Sequence, residues 1–137
     1  MTDPVHEFLH PSHWKPAVGY ANGVAATGRM VFTGGIIGWN ADQQFTSDDF
    51  ATQTGQALQN IVAVLAEAGA RPDHIVRLTW YVTDKRAYLD SLHDLGREYK
   101  AAIGRHYPAM ALVQVVALVE DRALVEIEAT AVVPEGA

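Results

Sequence analysis

Hydrophobic positions change their spacing several times along this chain, and each change marks an element. Phe50, Thr54, Ala57, Leu58, Ile61, Val62 and Leu65 fall on one face at helical spacing. The helix they predict opens at Thr46-Ser47-Asp48-Asp49, where a hydroxyl followed three residues later by a carboxylate resembles a capping box, and it stops at Gly69. Residues 74–82 then alternate, with Val76, Leu78, Trp80 and Val82 on one side and Arg77, Thr79 and Tyr81 on the other, which predicts a strand. Asp84 is placed to cap a second helix whose stripe is Tyr88, Leu92, Leu95, Tyr99 and Ile103 and whose stop is Gly104.

Short apolar runs account for the rest. Runs at 20–26 and 29–33 flank Thr27-Gly28 and predict a hairpin, with Gly34-Gly35 ending its second strand. Runs at 108–116 and 123–133, joined by the polar turn Glu120-Asp121-Arg122, predict another. Residues 1–15 carry three histidines (His6, His10, His13) among prolines and read as an extended lead-in. The order strand, strand, helix, strand, helix, strand, strand is an α+β sheet with two helices for one face. Yet Leu112 and Val116 point to one side of their strand and Val113 and Val115 to the other, so both faces are apolar. Self-association would cover the second face.

Composition narrows the picture. A length of 137 residues, 49% of them hydrophobic, suits one domain over 1–137. The net charge of −6, without a Lys/Arg cluster, argues against nucleic acid or an anionic membrane surface as partner. No cysteine is present, which excludes disulfide and thiolate chemistry. The first residues lack a basic and an apolar signal region, so a soluble cytoplasmic protein is expected.

Few residues carry candidate chemistry. Glu126 and Glu128 alternate with Val125, Ile127 and Ala129 and so project from one strand face, about 7 Å apart. Either could orient or activate water; alternatively both are structural, paired with Arg77 or across an interface. The histidines show no metal-ligand spacing beyond the lead-in trio, so no metal is expected. Ser47 and Ser91 lack a nucleophile elbow. Gly34-Gly35 would let a ligand approach the backbone, or simply turn the chain. Trp14 and Trp39 lie in loops where they could wall a pocket or an interface, whereas Trp80 alternates with core positions.

Three stretches together resemble the RidA/YjgF family: Phe32-Thr33-Gly34-Gly35-Ile36-Ile37, Thr79-Trp80-Tyr81-Val82-Thr83-Asp84, and Tyr107-Pro108-Ala109 continuing to Val125-Glu126-Ile127-Glu128-Ala129. The resemblance spans roughly residues 16–134. It implies a chorismate-mutase-like fold, with a mixed sheet, and a homotrimer that binds a small molecule in clefts between subunits. It also implies hydrolysis of 2-imino or 2-enamino acids to keto acids and ammonia, with no cofactor. Carried over residue by residue, Glu126 becomes the water-orienting acid, Tyr20 the tyrosine near the cleft and Gly35 a backbone contact to the ligand. Three positions depart from the pattern. The arginine that grips the substrate carboxylate is Met110, the position two residues on, often cysteine, is Leu112, and a helix asparagine aligns with Leu92. A thioether cannot make the bidentate contact. The expected function is therefore deamination of an imine, enamine or related reactive metabolite whose recognised group is less charged or larger than an amino-acid carboxylate, with loop tryptophans such as Trp39 available to bind a ring. The alternative is a non-catalytic trimer that binds a metabolite or a protein partner.

Overall fold

The computed structural model describes residues 5–136. In chain order the elements are β1 (Glu7–Leu9), β2 (Gly23–Ala25), β3 (Arg29–Phe32), β4 (Ile36–Ile37), α1 (Phe50–Ala66), β5 (Ile75–Val82), α2 (Lys85–Leu89), α3 (Leu92–Ala102), β6 (Ala109–Gln114) and β7 (Val125–Val133). The fold is α+β with a mixed main sheet ordered β3-β7-β5-β6, and β4 also pairs with β7. Among the strand pairs of the described residues, β5–β6 alone is parallel.

Strand alternation decides what is buried. Val125, Ile127, Ala129 and Ala131 of β7 turn inward with Leu78, Trp80 and Val82 of β5, and all are buried under Leu58, Ile61 and Leu65 of α1. Each large aliphatic side chain fully removed from water contributes about 1.5–3 kcal/mol, so this layer is the main cohesive force. Glu126, Glu128 and Thr130 alternate to the outer face, level with Tyr81, Thr79 and Arg77. That face also carries Met30, Phe32 and Val113, each about half exposed, at 57%, 64% and 46%.

Two irregularities shift the alternation. Between Ile75 and Arg77 two residues of β5 oppose one step of β7, so Ile75 and Leu78 both face the core. From Phe32 to Ile36 the chain advances four residues while its β7 partners move three, from Thr130 to Ile127. The extra residue falls at the Gly34-Gly35 step, where the Thr33 hydroxyl accepts from Ala129 N at 2.9 Å in place of a backbone ladder bond.

Several expected pairings are corrected. The runs around Thr27-Gly28 do not form a hairpin: β2 pairs with β1, and β3 pairs with β7. Gly28 explains the separation, because its φ of 151° brings the chain so close to β7 that a Cβ there would lie 2.1 Å from the Val133 carbonyl oxygen. The last two runs do not pair either. β5 lies between β6 and β7, so the 115–124 segment crosses the sheet end rather than turning a hairpin. The second helix is broken at Asp90-Ser91 into α2 and α3, although Asp84 caps it as expected, accepting from Arg86 N at 2.9 Å. The cap of α1 is Asp49 rather than Thr46: its carboxylate accepts from Thr52 N at 3.0 Å. The lead-in is extended but pairs through β1, and residues 1–4 lie outside the described part. Among the described residues, no helix is long and apolar enough to cross a membrane.

Buried side chains that the periodicities do not reveal clasp the loops. Gln53 of α1, 1% exposed, donates to the carbonyls of Ser47 and Arg122 and accepts from Leu124 N, joining the loop before α1 to the crossover before β7. His6 places Nε2 at 2.9 Å from Val132 O and 3.2 Å from His74 O, which fastens the lead-in to the sheet. His74 is buried and accepts at Nδ1 from Arg71 N, and His106 Nε2 meets Ile75 O at 2.7 Å.

Burial, reinforced by the Arg71 guanidinium, holds His74 below the usual histidine value of 6.5, and burial does the same for His106. The unfolded chain therefore takes up these protons first as pH falls. Stability should be level above about pH 6.5 and decline below it, until the folded-state values are reached. Thermal melts followed by circular dichroism from about pH 7.5 to 5 should show Tm falling in that lower range, with a shallower fall in His106→Asn. An equally steep fall in the variant would contradict this origin.

Candidate functional site

The singled-out residues separate into two groups at opposite edges of the sheet. Tyr20, Leu92, Met110 and Leu112 line a cavity of about 520 Å³ at the β6 edge. Gly35, Trp39 and Glu126 line another of about 440 Å³ beside β4, flanked by Asn60 and Val64 of α1. The separation is a consequence of register. Met110 and Leu112 pair with Leu78 and Trp80 and share their inward face, whereas Glu126 pairs with Tyr81 on the outward face. Within one protomer, then, Tyr20 and Glu126 are not in the same cavity.

At the β4 edge, Glu126 and Gly35 are tightly fitted. A Cβ built on Gly35 would lie 2.3 Å from Glu126 Oε2, so any side chain here would push the carboxylate out of its present position. Asn60 Nδ2 donates to the carbonyls of Ile37 and Trp39, at 3.1 and 2.8 Å, and holds the loop that carries Trp39. The Trp39 ring rests against Phe45 with centroids 5.9 Å apart.

The two strand carboxylates are not equivalent. Glu128 Oε1 accepts from the Tyr81 hydroxyl at 2.8 Å, so its partner is Tyr81 and not the Arg77 considered from sequence. That hydrogen bond, with desolvation and the nearby charges of Glu128 and Glu126, raises the Tyr81 pKa above its ordinary value of 10.0. Glu126 has no hydrogen-bond or ion-pair partner among the described residues. Of the pair, it is the one with free lone pairs for water or a ligand.

The β6-edge cavity is walled by more aromatics than the sequence reading picked out. Trp80, Tyr88, Tyr99 and Tyr107 line it beside Met110. Tyr88 and Tyr99 belong to the stripe read as core, and the excess of hydroxyl-bearing rings in that stripe was the available signal that one side is not fully buried. Tyr99 and Tyr107 are stacked, 5.3 Å between centroids and 11° between planes. The Tyr99 hydroxyl donates to His106 O at 2.5 Å, and burial raises its pKa, so it stays protonated. Trp80 is buried as expected, yet its indole N–H has no acceptor among the described residues.

The remaining candidates are dispersed. Trp14 is 52% exposed and lines neither cavity. His6 is held by backbone carbonyls, and His10 contacts Trp14 O and Asn22 Nδ2, so the lead-in histidines do not converge. Among the described residues, no group of three or more His, Asp or Glu is placed to hold a metal. Of the cations that could replace an arginine at Met110, Arg29 is engaged with Ala68 O at 2.7 Å, and the exposed His93 lies beside Asp94. Arg105 lines an adjoining cavity that shares Tyr20 and Tyr107 with that of Met110.

Comparison with known proteins gives a consistent set of relatives. A family model described as Endoribonuclease L-PSP matches residues 11–133. The 2-iminobutanoate/2-iminopropanoate deaminase of Escherichia coli K12 is 34% identical over 116 residues, covering 82% of this chain and 86% of that protein. A RutC family protein of Pyrococcus abyssi is 30% identical over 85% of this chain and 88% of its own length. Among solved structures, a Rid family protein of unknown function from Yersinia pestis superposes with a TM-score of 0.83 at 30% identity, covering 94% of this chain and 99% of that one. A YjgF/YER057c/UK114 family member from Mycobacterium tuberculosis gives 0.62 at 36% identity, over 85% and 88%.

The Tyr81–Glu128 bond is open to direct measurement. In a spectrophotometric titration of the five tyrosines, Glu128→Gln should shift one of them to lower pH, because a neutral acceptor no longer favours the protonated phenol so strongly. An unchanged titration curve would show that the bond is not made in solution.

Proposed function

This chain belongs to the RidA/YjgF family, with the Endoribonuclease L-PSP model matching residues 11–133, and from that premise we propose that it hydrolyses a small imine or enamine in a cleft formed between subunits. The observation that carries the reading is the unpartnered Glu126 carboxylate against the bare backbone of Gly35, beside a Glu128 already occupied by Tyr81. A carboxylate so placed can orient water and accept its proton.

In the reaction, water adds to the imine carbon, a C–O bond forms, and the nitrogen gains a proton. The carbinolamine then collapses: the C–N bond breaks, its electron pair leaves on nitrogen, and a carbonyl compound and ammonia are released. Glu126 takes a proton from the attacking water and passes it to the imine nitrogen, then takes the carbinolamine hydroxyl proton and passes it to the departing nitrogen, while Tyr20 donates a hydrogen bond from the opposite wall and Gly35 offers its backbone to the ligand. No cofactor enters these steps.

A homotrimer supplies what one protomer lacks. The half-site with Glu126, Gly35 and Trp39 and the half-site with Tyr20, Leu92, Met110 and Leu112 lie at opposite sheet edges, so a cyclic assembly brings one edge against a neighbour's other edge. Met30, Phe32 and Val113 on the outer face give such an assembly apolar area to bury. We place this trimer in the cytoplasm. The alternative is that the same cleft only binds a metabolite. A ribonuclease role is disfavoured by a net charge of −6 and by the uncharged walls around Met110.

Met110 sets the substrate apart from an ordinary 2-imino acid. Charge-assisted hydrogen bonds are worth about 1.5–3 kcal/mol each, so a carboxylate that loses two of them is recognised roughly two to four decades less well. Hydrolysis of 2-iminopropionate, generated in situ from alanine by an amino-acid oxidase, should be near background for the native protein and gained in Met110→Arg. Glu126→Gln, introduced into that variant, should abolish the gain. A fast native enzyme would remove the weight placed on Met110, and no activity in any form would favour the binding-only alternative. Light scattering should give the mass of three protomers, and a monomer would leave the cleft unformed.

A further inference from the structure

Building on the imine-hydrolase reading, the structure assigns to the β6-edge cavity a substrate of a particular class: an uncharged, ring-bearing imine or enamine without a carboxylate. Size is the first observation. At about 520 Å³ the cavity falls in the range of about 300–1,000 Å³ found for drug-sized ligands, and a three-carbon imino acid would leave most of it to water.

Charge is the second. None of the residues lining this cavity is ionic: beside Met110, Leu112 and Leu92 the walls are Leu95, glycines, Val18, tyrosines and Trp80. A carboxylate moved into such surroundings gives up its hydration for no cationic partner, whereas a neutral imine keeps most of its free energy of transfer. Arg105 is not among the lining residues; it belongs to the adjoining cavity.

Shape is the third. Tyr107 stacks against Tyr99 in the cavity wall, and the Tyr99 bond to His106 O fixes the orientation of that ring before any ligand arrives. Trp80 and Tyr88 meet edge to face, 6.3 Å between centroids at 76°, and turn the corner of the cavity. Aromatic walls of this kind accept a planar ring by offset or edge-to-face contact. Polar recognition is left to hydroxyls: those of Tyr20, Tyr88 and Tyr107 have no partner among the described residues and can donate to an imine nitrogen.

Phenylacetamide, phenylacetate and pyruvate separate these features, and their binding to the full-length native protein is measured by calorimetry. Phenylacetamide stands in for a neutral aryl imine and should bind about tenfold or more tighter than either anion. Met110→Arg should reverse the order, so that phenylacetate becomes the tighter ligand. The inference is overturned if phenylacetate or pyruvate binds the native protein more tightly than the amide, and loss of that preference in Arg105→Ala would then identify the cation responsible. It is also overturned if the amide fails to bind while 2-iminopropionate is hydrolysed, a result that leaves the hydrolase reading standing. Binding of the amide with no imine hydrolysed supports the cavity assignment and defeats the hydrolase reading instead.

Discussion

The two-residue alternation of side chains across β7, β5 and β6 is the constraint on which the rest of this structure depends. Once Ile127 and Ala129 face α1, Glu126 and Glu128 must face away from it, and once Leu78 and Trp80 face inward, so must Met110 and Leu112 beside them. A shift of one residue would bury two carboxylates and expose the core. The same register that secures folding therefore holds Glu126 and Met110 on opposite faces. A shared catalytic cleft follows only if two copies of the chain meet, which links the proposed chemistry to assembly more firmly than the apolar outer face does alone.

Rigidity at the acid has a traceable origin. Glu126 sits within a nine-residue strand hydrogen-bonded on both sides, to β4 and to β5. The extra residue at the Gly34-Gly35 step breaks the alternation of the β3–β4 chain, so Phe32 stays outside while Ile36 packs inward. At that step the backbone passes close to the carboxylate, and a side chain at Gly35 would displace it. Asn60 reaches from α1 to hold the following loop. The groups proposed to act are thus attached to a strand and a loop that are hydrogen-bonded on more than one side, as precise positioning of water would demand.

Much of this architecture was legible because it rests on periodicity. The α1 stripe, the β5 alternation, the Asp84 cap and the paired outward carboxylates each follow from spacing within one segment. What was not legible depends on which segment a strand chooses as neighbour. β6 and β7 are adjacent apolar runs joined by a polar turn, which favours a hairpin locally, but β5 lies between them, and nothing in either run reports that. The break at Asp90-Ser91 was hidden because Tyr88, Leu92 and Leu95 keep helical spacing across it. At the candidate site, Gly35 and Glu126 were linked only through family resemblance, and the structure adds the close approach that makes the link physical. The ranking of Glu126 over Glu128 needed the position of the Tyr81 hydroxyl, which sits on another strand.

The substitutions around Met110 make more sense together than singly. An arginine among Leu92, Leu95, Leu112 and four tyrosine rings would be a poorly solvated cation waiting for an anionic partner, and its burial is worthwhile only if that partner arrives. For the proposed substrate, which lacks a carboxylate, such a cation would be a cost without a return, and methionine fills the space with a flexible, polarisable side chain suited to ring contacts. Leucine at 112 and 92 removes further polar atoms from the same wall. On the proposed reading, Met110 in place of the arginine that the family resemblance implies is the outcome expected of a cleft with Glu126 and Gly35 in place and a recognition surface built on shape rather than charge.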